Sequence, residues 1–518
     1  MIKKIINAFR KGNHRREVVY VRGRSLAESI LAVVGGIVVA VIIVYGLGKH
    51  TDKTTTLDGF ATQTHNGALP MSPVMHRKPI DCSGEAATSL ECMIEQQNNI
   101  CTVSKNKLTD NDLRMARIAW TYFENNYNAE TGLVNAVNNY PSTTMWDTGS
   151  ALAATIAAYD FGFIGKKDFD DRITALIASL SKMQLFNDEA PNKVYNTKTL
   201  KMVDYANKPT EFGIGVSALD LARLMSWSRT LSCMHPKYNS RLAKTLSRWK
   251  YDRIIQKQQM FGLARSKKNA EEVNVWQEGR LGYEQYAGKI FEKFGFNASV
   301  AADYESKFRS DTEILGVNIA YDNRDPLKWH ANNYVLTESY TMDAMELGLD
   351  PVNKDLVRNI FEVQKQRWRE TGIVTAISED NIDQKPWFLY NTIYNAGRTW
   401  QTTNSSDVSY DHLKTISVKA AISMALLYPE DEYSAVLMNA VESAYDVEKG
   451  WYSGIYESGA GYNTVTTANT NGVVMSGFLY KKYGSMFPHC ESCSRDIELD
   501  SDLLMDQTVS DCEICIGK

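Results

Sequence analysis

Most familiar hydrolytic and metal chemistries have no foothold in this sequence. It contains no Gly-x-Ser-x-Gly elbow, no His-Glu-x-x-His pair and no glycine-rich phosphate loop. The serine-hydrolase, zinc-peptidase and nucleotide-binding constellations therefore lack their defining spacing. Histidine is sparse, with 8 scattered residues in 518, which argues against a histidine-based nucleophile or metal centre. No cofactor and no metal is expected. Neither sign of charge prevails: 57 Lys and Arg face 61 Asp and Glu for a net charge of -4, and this offers no electrostatic footprint for nucleic acid. Long apolar runs are missing too, with one exception.

That exception is Ser29 to Gly48, an uncharged segment about as long as the ~20 residues a helix needs to cross a bilayer. Eight lysines and arginines lie between Lys3 and Arg24, against Glu17 and Glu28 alone. The positive-inside rule keeps residues 1–28 in the cytoplasm and sends the rest across. A cleaved signal peptide competes with this reading, but the run exceeds the roughly 7–15 residues of a signal core, which favours a retained anchor. The expectation is a single-pass protein of the inner (cytoplasmic) membrane. Its segment 29–48 would sit in the lipid bilayer, with the C-terminal body in the periplasm.

Cysteine usage agrees with export. Cys82, Cys92 and Cys101 lie in a polar stalk, residues 49–108; Cys233 lies in the body; Cys490, Cys493, Cys512 and Cys515 lie in an acidic tail, residues 488–518. The tail spacing fits either disulfides or a four-thiolate zinc site, and an oxidising compartment favours disulfides.

Between stalk and tail, residues 109–487 repeat one pattern: long helices with apolar positions at helical spacing. Expected helices include 148–161, 166–185, 213–232, 237–257, 281–295, 352–370, 408–428 and 467–483. Val194–Asn196 and Leu200–Val203 read as a short ribbon. Glu130-Thr131-Gly132-Leu133-Val134 recurs as Glu370-Thr371-Gly372-Ile373-Val374, the mark of repeated helical hairpins. The expected fold is all-α, an (α/α)6 toroid with a few short β-ribbons behind one transmembrane helix. An open solenoid of helix pairs is the alternative.

Three segments combine a carboxylate, a glycine and a following helical pattern: Trp146-Asp147-Thr148-Gly149, Glu211-Phe212-Gly213 and Trp276-Gln277-Glu278-Gly279. In a ring of hairpins the inner helices all start at one end, so acids placed there share a cleft. Glycoside hydrolysis needs two such carboxyls beside one bond. Each acid alone reads equally well as a helix cap that offsets the macrodipole. As a site, Glu211 is the expected general acid, following the stiff Lys208-Pro209-Thr210 entry, with Asp147 or Glu278 as base. Trp146, Trp276, Tyr283, Trp387, Trp400 and Tyr462, in loops or at helix starts, are expected to stack on sugar faces. Glu284 and Glu338 are expected to bind hydroxyls. The partner is then a polysaccharide or oligosaccharide.

The run from Thr131-Gly132-Leu133-Val134 through Trp146-Asp147-Thr148-Gly149 to Phe163-Ile164-Gly165, with Tyr195–Leu200, Gly450-Trp451-Tyr452 and Thr467–Asn471, resembles a known group. It is similar to bacterial glucoamylase-like domains, in particular a membrane-anchored family of unassigned function related to β-1,2-glucanases and cyclic-glucan-processing enzymes. The resemblance covers roughly residues 109–485. It implies a toroid that acts on a glucan or exopolysaccharide, beside other polysaccharide machinery of the envelope. A non-catalytic glycan-binding or assembly subunit on the same fold is the rival. The loop before the second acid-bearing helix carries Glu211 where glucanase relatives often have aspartate, and their active-site loops are not recognisable here.

Overall fold

The computed structural model describes residues 106–491 except Lys267, Lys268 and Ala270, together with Leu499. The expected span 29–48 and the stalk cysteines Cys82, Cys92 and Cys101 lie outside the described residues. Among the described residues no helix is long and apolar enough to cross a membrane.

Among the described residues twelve helices alternate along the body, with one further short turn, Pro326–Trp329, between the seventh and the eighth. The odd ones are α1 (Asp110–Asn125), α3 (Lys166–Lys182), α5 (Asn239–Leu246), the single turn α7 (Ser299–Ala302), α9 (Pro351–Thr371) and α11 (Glu432–Val441). The even ones are α2 (Met145–Asp160), α4 (Ala218–Met234), α6 (Tyr283–Lys293), α8 (Thr337–Met342), α10 (Val418–Leu427) and α12 (Ala468–Tyr483). A π-helical turn, Asp343–Leu347, extends α8.

Packing divides the two sets. Helix α2 lies against α4, α4 against α6, α6 against α8, α8 against α10, α10 against α12, and α12 returns to α2. The even helices thus form a closed inner ring, which excludes the open solenoid, and the odd helices wrap it as an (α/α)6 toroid. Composition explains the division. Helix α2 buries Ala151, Leu152, Ala153, Ala154, Ile156, Ala157 and Ala158, apolar almost all round, as a helix enclosed by neighbours must be. Helix α3 buries only one stripe, Phe169, Ile173, Leu176, Ile177, Ser179 and Leu180, as a half-exposed outer helix does. Close approach within the ring needs missing side chains. A Cβ on Gly149 of α2 would stand 2.9 Å from Arg223 of α4, and one on Gly472 of α12 would stand 2.7 Å from Ser150.

Short strands precede the inner helices and cluster at the end where those helices begin. Val194–Asn196 pairs antiparallel with Ser142–Thr144, and Tyr195 bridges to Met202 in place of a full ribbon. The helix expected over 213–232 starts instead at Ala218. Gly213 and Gly215 hold φ of 73° and 141°, outside helical space, and Gly215–Val216 joins a sheet with Gln259–Arg265. The helix expected over 408–428 is likewise shortened by the strand Thr415–Ser417.

The last described helix, α13 (Met486–Glu491), crosses the start expected for the tail at 488. Its buried face, Met486, Phe487 and Cys490, packs on α4, α12 and the π-turn. Cys490 forms a disulfide with the wholly buried Cys233 of α4, with Cα atoms 5.5 Å apart. This corrects the grouping of Cys490 with the other tail cysteines: its sulfur is committed to the toroid, so a four-thiolate zinc site that includes it is excluded. Cys493, Cys512 and Cys515 lie outside the described residues.

Candidate active site

Two inner helices open with the same device. Thr144 caps α2, its hydroxyl accepting the Asp147 N–H at 3.1 Å and donating to Asp147 Oδ2 at 2.8 Å. Ser217 caps α4 in the same register, accepting the Asp220 N–H at 3.1 Å. Each cap satisfies an orphan backbone donor and fixes a carboxylate one turn inside the helix. Because the helices are neighbours in the ring, both carboxylates stand at one mouth. A third joins them from a different direction. Glu278 follows the strand Val273–Gln277, and its Oε2 accepts the Ala218 N–H at 2.6 Å. It caps α4, not the helix that follows it in sequence.

Burial sets the protonation of this trio. Removal from water raises the Asp147 carboxyl to about 6, opposed by the Thr144 hydrogen bond and by Lys419. Asp220 is pushed further, to about 8, by burial first and then by the negative charge of Glu278. At neutral pH Asp220 holds its proton while Asp147 is ionised.

Facing them is a second polar group built by α8, α10, α12 and the strand Glu379–Asn381. Lys419 of α10 is 3% exposed. Its ammonium pairs with Glu338 Oε2, and lies 3.7 Å from Asp380 Oδ1. Burial alone would depress the Lys419 pKa, but Glu338, Asp380 and Glu379 hold it above its ordinary value. Burial lifts Glu379 and Asp380 each to about 7; the charge of Glu338 adds to the rise, and Lys419 opposes it. Asn469, in the first turn of α12, donates to Glu338 Oε1 at 2.7 Å and accepts from Trp146 Nε1 at 3.0 Å. The Tyr283 hydroxyl donates to Glu379 Oε1 at 2.8 Å.

Trp146 joins the two groups. Its ring packs edge-on against Tyr283, with centroids 5.6 Å apart, and the Arg223 guanidinium lies 5.4 Å from its centroid. Arg223 is in turn ion-paired to Glu346, whose Oε2 accepts from the hydroxyls of Tyr286 (2.7 Å) and Ser226 (2.9 Å). The mouth therefore has a rigid floor with Trp146 and Tyr283 above it.

Several expected residues lie elsewhere. Glu211 is exposed in a bend seven residues before α4. It does not open that helix, since the two glycines after it turn the chain into a strand. Glu284 is 2% exposed and locked to Arg324, which also holds Asp322 at 2.5 Å, so its carboxylate is spent on a buried ion pair and cannot meet a sugar. Trp400 is partly buried, packed against the edge of an apolar cluster containing Ile360 and Ile393. Glu338 stands in the first turn of α8, but its oxygens are held by Lys419 and Asn469. Trp276 is half-buried against His330, ring centroids 4.2 Å apart, while Trp387 and Tyr462 are exposed. Asp220, Glu379, Asp380, Lys419 and Asn469 were not among the expected site residues. Only Asp220 carried a local signal, the Ser217-x-x-Asp220 spacing that matches Thr144-x-x-Asp147.

A family model described as a protein of unknown function, DUF3131, matches residues 114–484. The chain belongs to this family. No curated protein matches it. Solved structures that match include a candidate glucoamylase from Bacteroides caccae, at 15% identity and TM-score 0.54, covering 74% of this chain and 97% of that one. A second candidate glucoamylase, from Bacteroides fragilis, matches at 16% identity and TM-score 0.53 over 76% and 97%. An endo-β-1,2-glucanase from Chitinophaga pinensis, in complex with sophorotriose and glucose, matches at 11% identity and TM-score 0.54 over 77% and 100%. These likenesses place the DUF3131 body among glucoamylase-like (α/α)6 folds.

Proposed function

We propose that this protein is a glycoside hydrolase, anchored in the inner membrane through residues 29–48, whose periplasmic body cleaves a glucan or exopolysaccharide by inversion. The observation that carries the reading is the matched pair Asp147 and Asp220 on adjacent inner helices, with burial raising one carboxyl to about 6 and the other to about 8. Inversion requires one protonated and one ionised carboxyl about 6.5–9.5 Å apart, leaving room for water beneath the sugar. Equivalent first-turn positions on helices packed about 8–10 Å apart suit that spacing. Asp220 is the acid that protonates the glycosidic oxygen. Asp147 takes the proton of the attacking water, which adds to the anomeric carbon as the leaving sugar departs with the proton from Asp220. Glu278 keeps Asp220 protonated through its charge. The acid role expected for Glu211 passes to Asp220.

Because the Chitinophaga pinensis neighbour is a β-1,2-glucanase, linear β-1,2-glucan is the first polymer to assay, followed by β-1,3-, mixed-linkage and α-1,4-glucans. Cleavage by the wild-type protein, lost in Asp220→Asn with binding retained, is the expected result. Binding without cleavage of any of these polymers would replace the hydrolase with the glycan-binding or assembly subunit. A periplasmic reporter fused after Lys518 tests the topology: activity only on the cytoplasmic side would overturn it.

A further inference from the structure

Among the described residues, six aromatic side chains are more than a third exposed: Tyr140, Tyr205, Phe212, Trp387, Phe388 and Tyr462. All six lie in segments that lead into an inner helix, Tyr140 before α2, Tyr205 and Phe212 before α4, Trp387 and Phe388 before α10, and Tyr462 before α12. They therefore stand at the end that holds Asp147 and Asp220, along the arc from α10 through α12 and α2 to α4, and none leads into α6 or α8. The short connections at the opposite end of the toroid expose no aromatic ring.

Their places around the ring are not uniform. In a closed ring of six helices, α4 and α10 stand diametrically opposite. Tyr205 and Phe212 thus face Trp387 and Phe388 across the mouth. Tyr205 lies within electrostatic reach of Asp220 and Glu278 on its own side, and of Tyr390, in the same strand as Phe388, on the far side. The rings are also held in place. The Tyr140 hydroxyl donates to the Tyr205 carbonyl at 3.2 Å, Arg265 lies 5.5 Å from the Phe212 ring centroid, and Phe388 packs edge-on against Tyr390 at 5.2 Å. Trp387 is 56% exposed with φ of 76°, a left-handed conformation that is costly for a bulky residue and persists only where surroundings over-determine it. Its N–H donates to the Gln384 carbonyl at 2.8 Å, and its own carbonyl accepts from the Ile382 N–H at 3.1 Å. The turn presents the indole to solvent.

From this we infer that the mouth binds an extended glycan chain lying across it, gripped by aromatic rings on both sides of the acids, so that cleavage falls within the chain and not at its end. The inference rests on the reading of the mouth as a glycan site, and it specifies the substrate as a polymer. Separated rings with polar groups between them suit alternating pyranose faces and hydroxyls.

The test uses the full-length protein in detergent, with Tyr205→Ala and Trp387→Ala made singly and checked for unchanged melting. Retardation in gels containing each of the four glucans named above reads polymer affinity. The trisaccharide of the retained linkage serves as the short ligand. Each substitution is expected to weaken polymer binding about 5-fold, as a lost aromatic contact does, with under about 2-fold change for the trisaccharide. Viscosity should fall well before reducing ends accumulate. Retention by no polymer, an effect of only one substitution, or release of only mono- or disaccharide from the start would overturn the inference. Two-sided polymer binding without cleavage would sustain the track and overturn only the hydrolase.

Discussion

Replacing Asp220 by asparagine separates the two properties that burial gives this carboxyl. Its folded pKa is raised from 3.8 to about 8, so the folded state favours the protonated form. Between those values the folded protein binds more protons than the unfolded chain, and stability falls as pH rises. The group's full contribution is present below about pH 4 and is lost progressively up to about pH 8. Four pH units at 1.36 kcal/mol each set a ceiling of about 6 kcal/mol, which water at the half-buried carboxyl screens to on the order of 2 kcal/mol. Asparagine keeps the shape and stays neutral, so the variant escapes this loss. Urea midpoints should therefore show Asp220→Asn gaining on the wild type by on the order of 2 kcal/mol between pH 5 and pH 8. Turnover should fall by about 10²–10⁴, the usual contribution of a general acid. In the wild type, activity should follow a bell whose limbs lie near the Asp147 value of about 6 and the Asp220 value of about 8. A variant that keeps full turnover, or whose stability tracks the wild type at both pH values, would refute the assignment of Asp220.

Three further outcomes follow from the same geometry. Lys419→Met leaves Glu338 and Asp380 buried without their cation, which should cost about 3–5 kcal/mol in chemical denaturation; because Lys419 lowers the Asp147 pKa, the acidic limb of any surviving activity should move up. Glu211→Gln should leave turnover within about 2-fold of wild type, since its carboxyl is exposed in a bend and is not one of the buried acids at the helix starts that hold or take a proton; a large loss would restore the role expected for it. Reduction of the Cys233–Cys490 bond, or Cys490→Ala, should destabilise the body by up to about 5 kcal/mol, the chain-entropy value for so long a loop, read as a lower melting temperature; an unchanged melting temperature would count against the pairing.

How much of this was legible in the sequence depends on how local the cause is. The alternation of helices, and Asp147 at the start of one, rest on nearest-neighbour spacing and cap chemistry, and both stand in the structure. Glu211 misled because the acid-then-glycine pattern resembles a helix entry, whereas two glycines in left-handed backbone delay α4 to Ala218. The better signal was the hydroxyl cap three residues before the acid, present at Ser217 as at Thr144. Glu278 could not be read as the cap of α4, because it arrives from 60 residues downstream through a strand pairing. Glu379, Asp380 and Lys419 meet only when the ring closes. Lys419 looks like any surface lysine in the sequence, yet burial among three carboxylates is what distinguishes it. Cys490 likewise belonged by spacing to the tail and by packing to α4.

The bond between Cys233 and Cys490 has a consequence for survival as well as for folding. Every residue from Met234 to His489 lies on a covalent circle, and that circle includes the segments carrying Glu278, Glu379, Trp387 and Tyr462. A protease that cuts one of these loops opens the circle without releasing a piece, since both fragments remain joined through sulfur. The elaborate loops of the mouth can thus be long, exposed and cleavable while the cut protein stays assembled. Only reduction together with a cut would let the halves part.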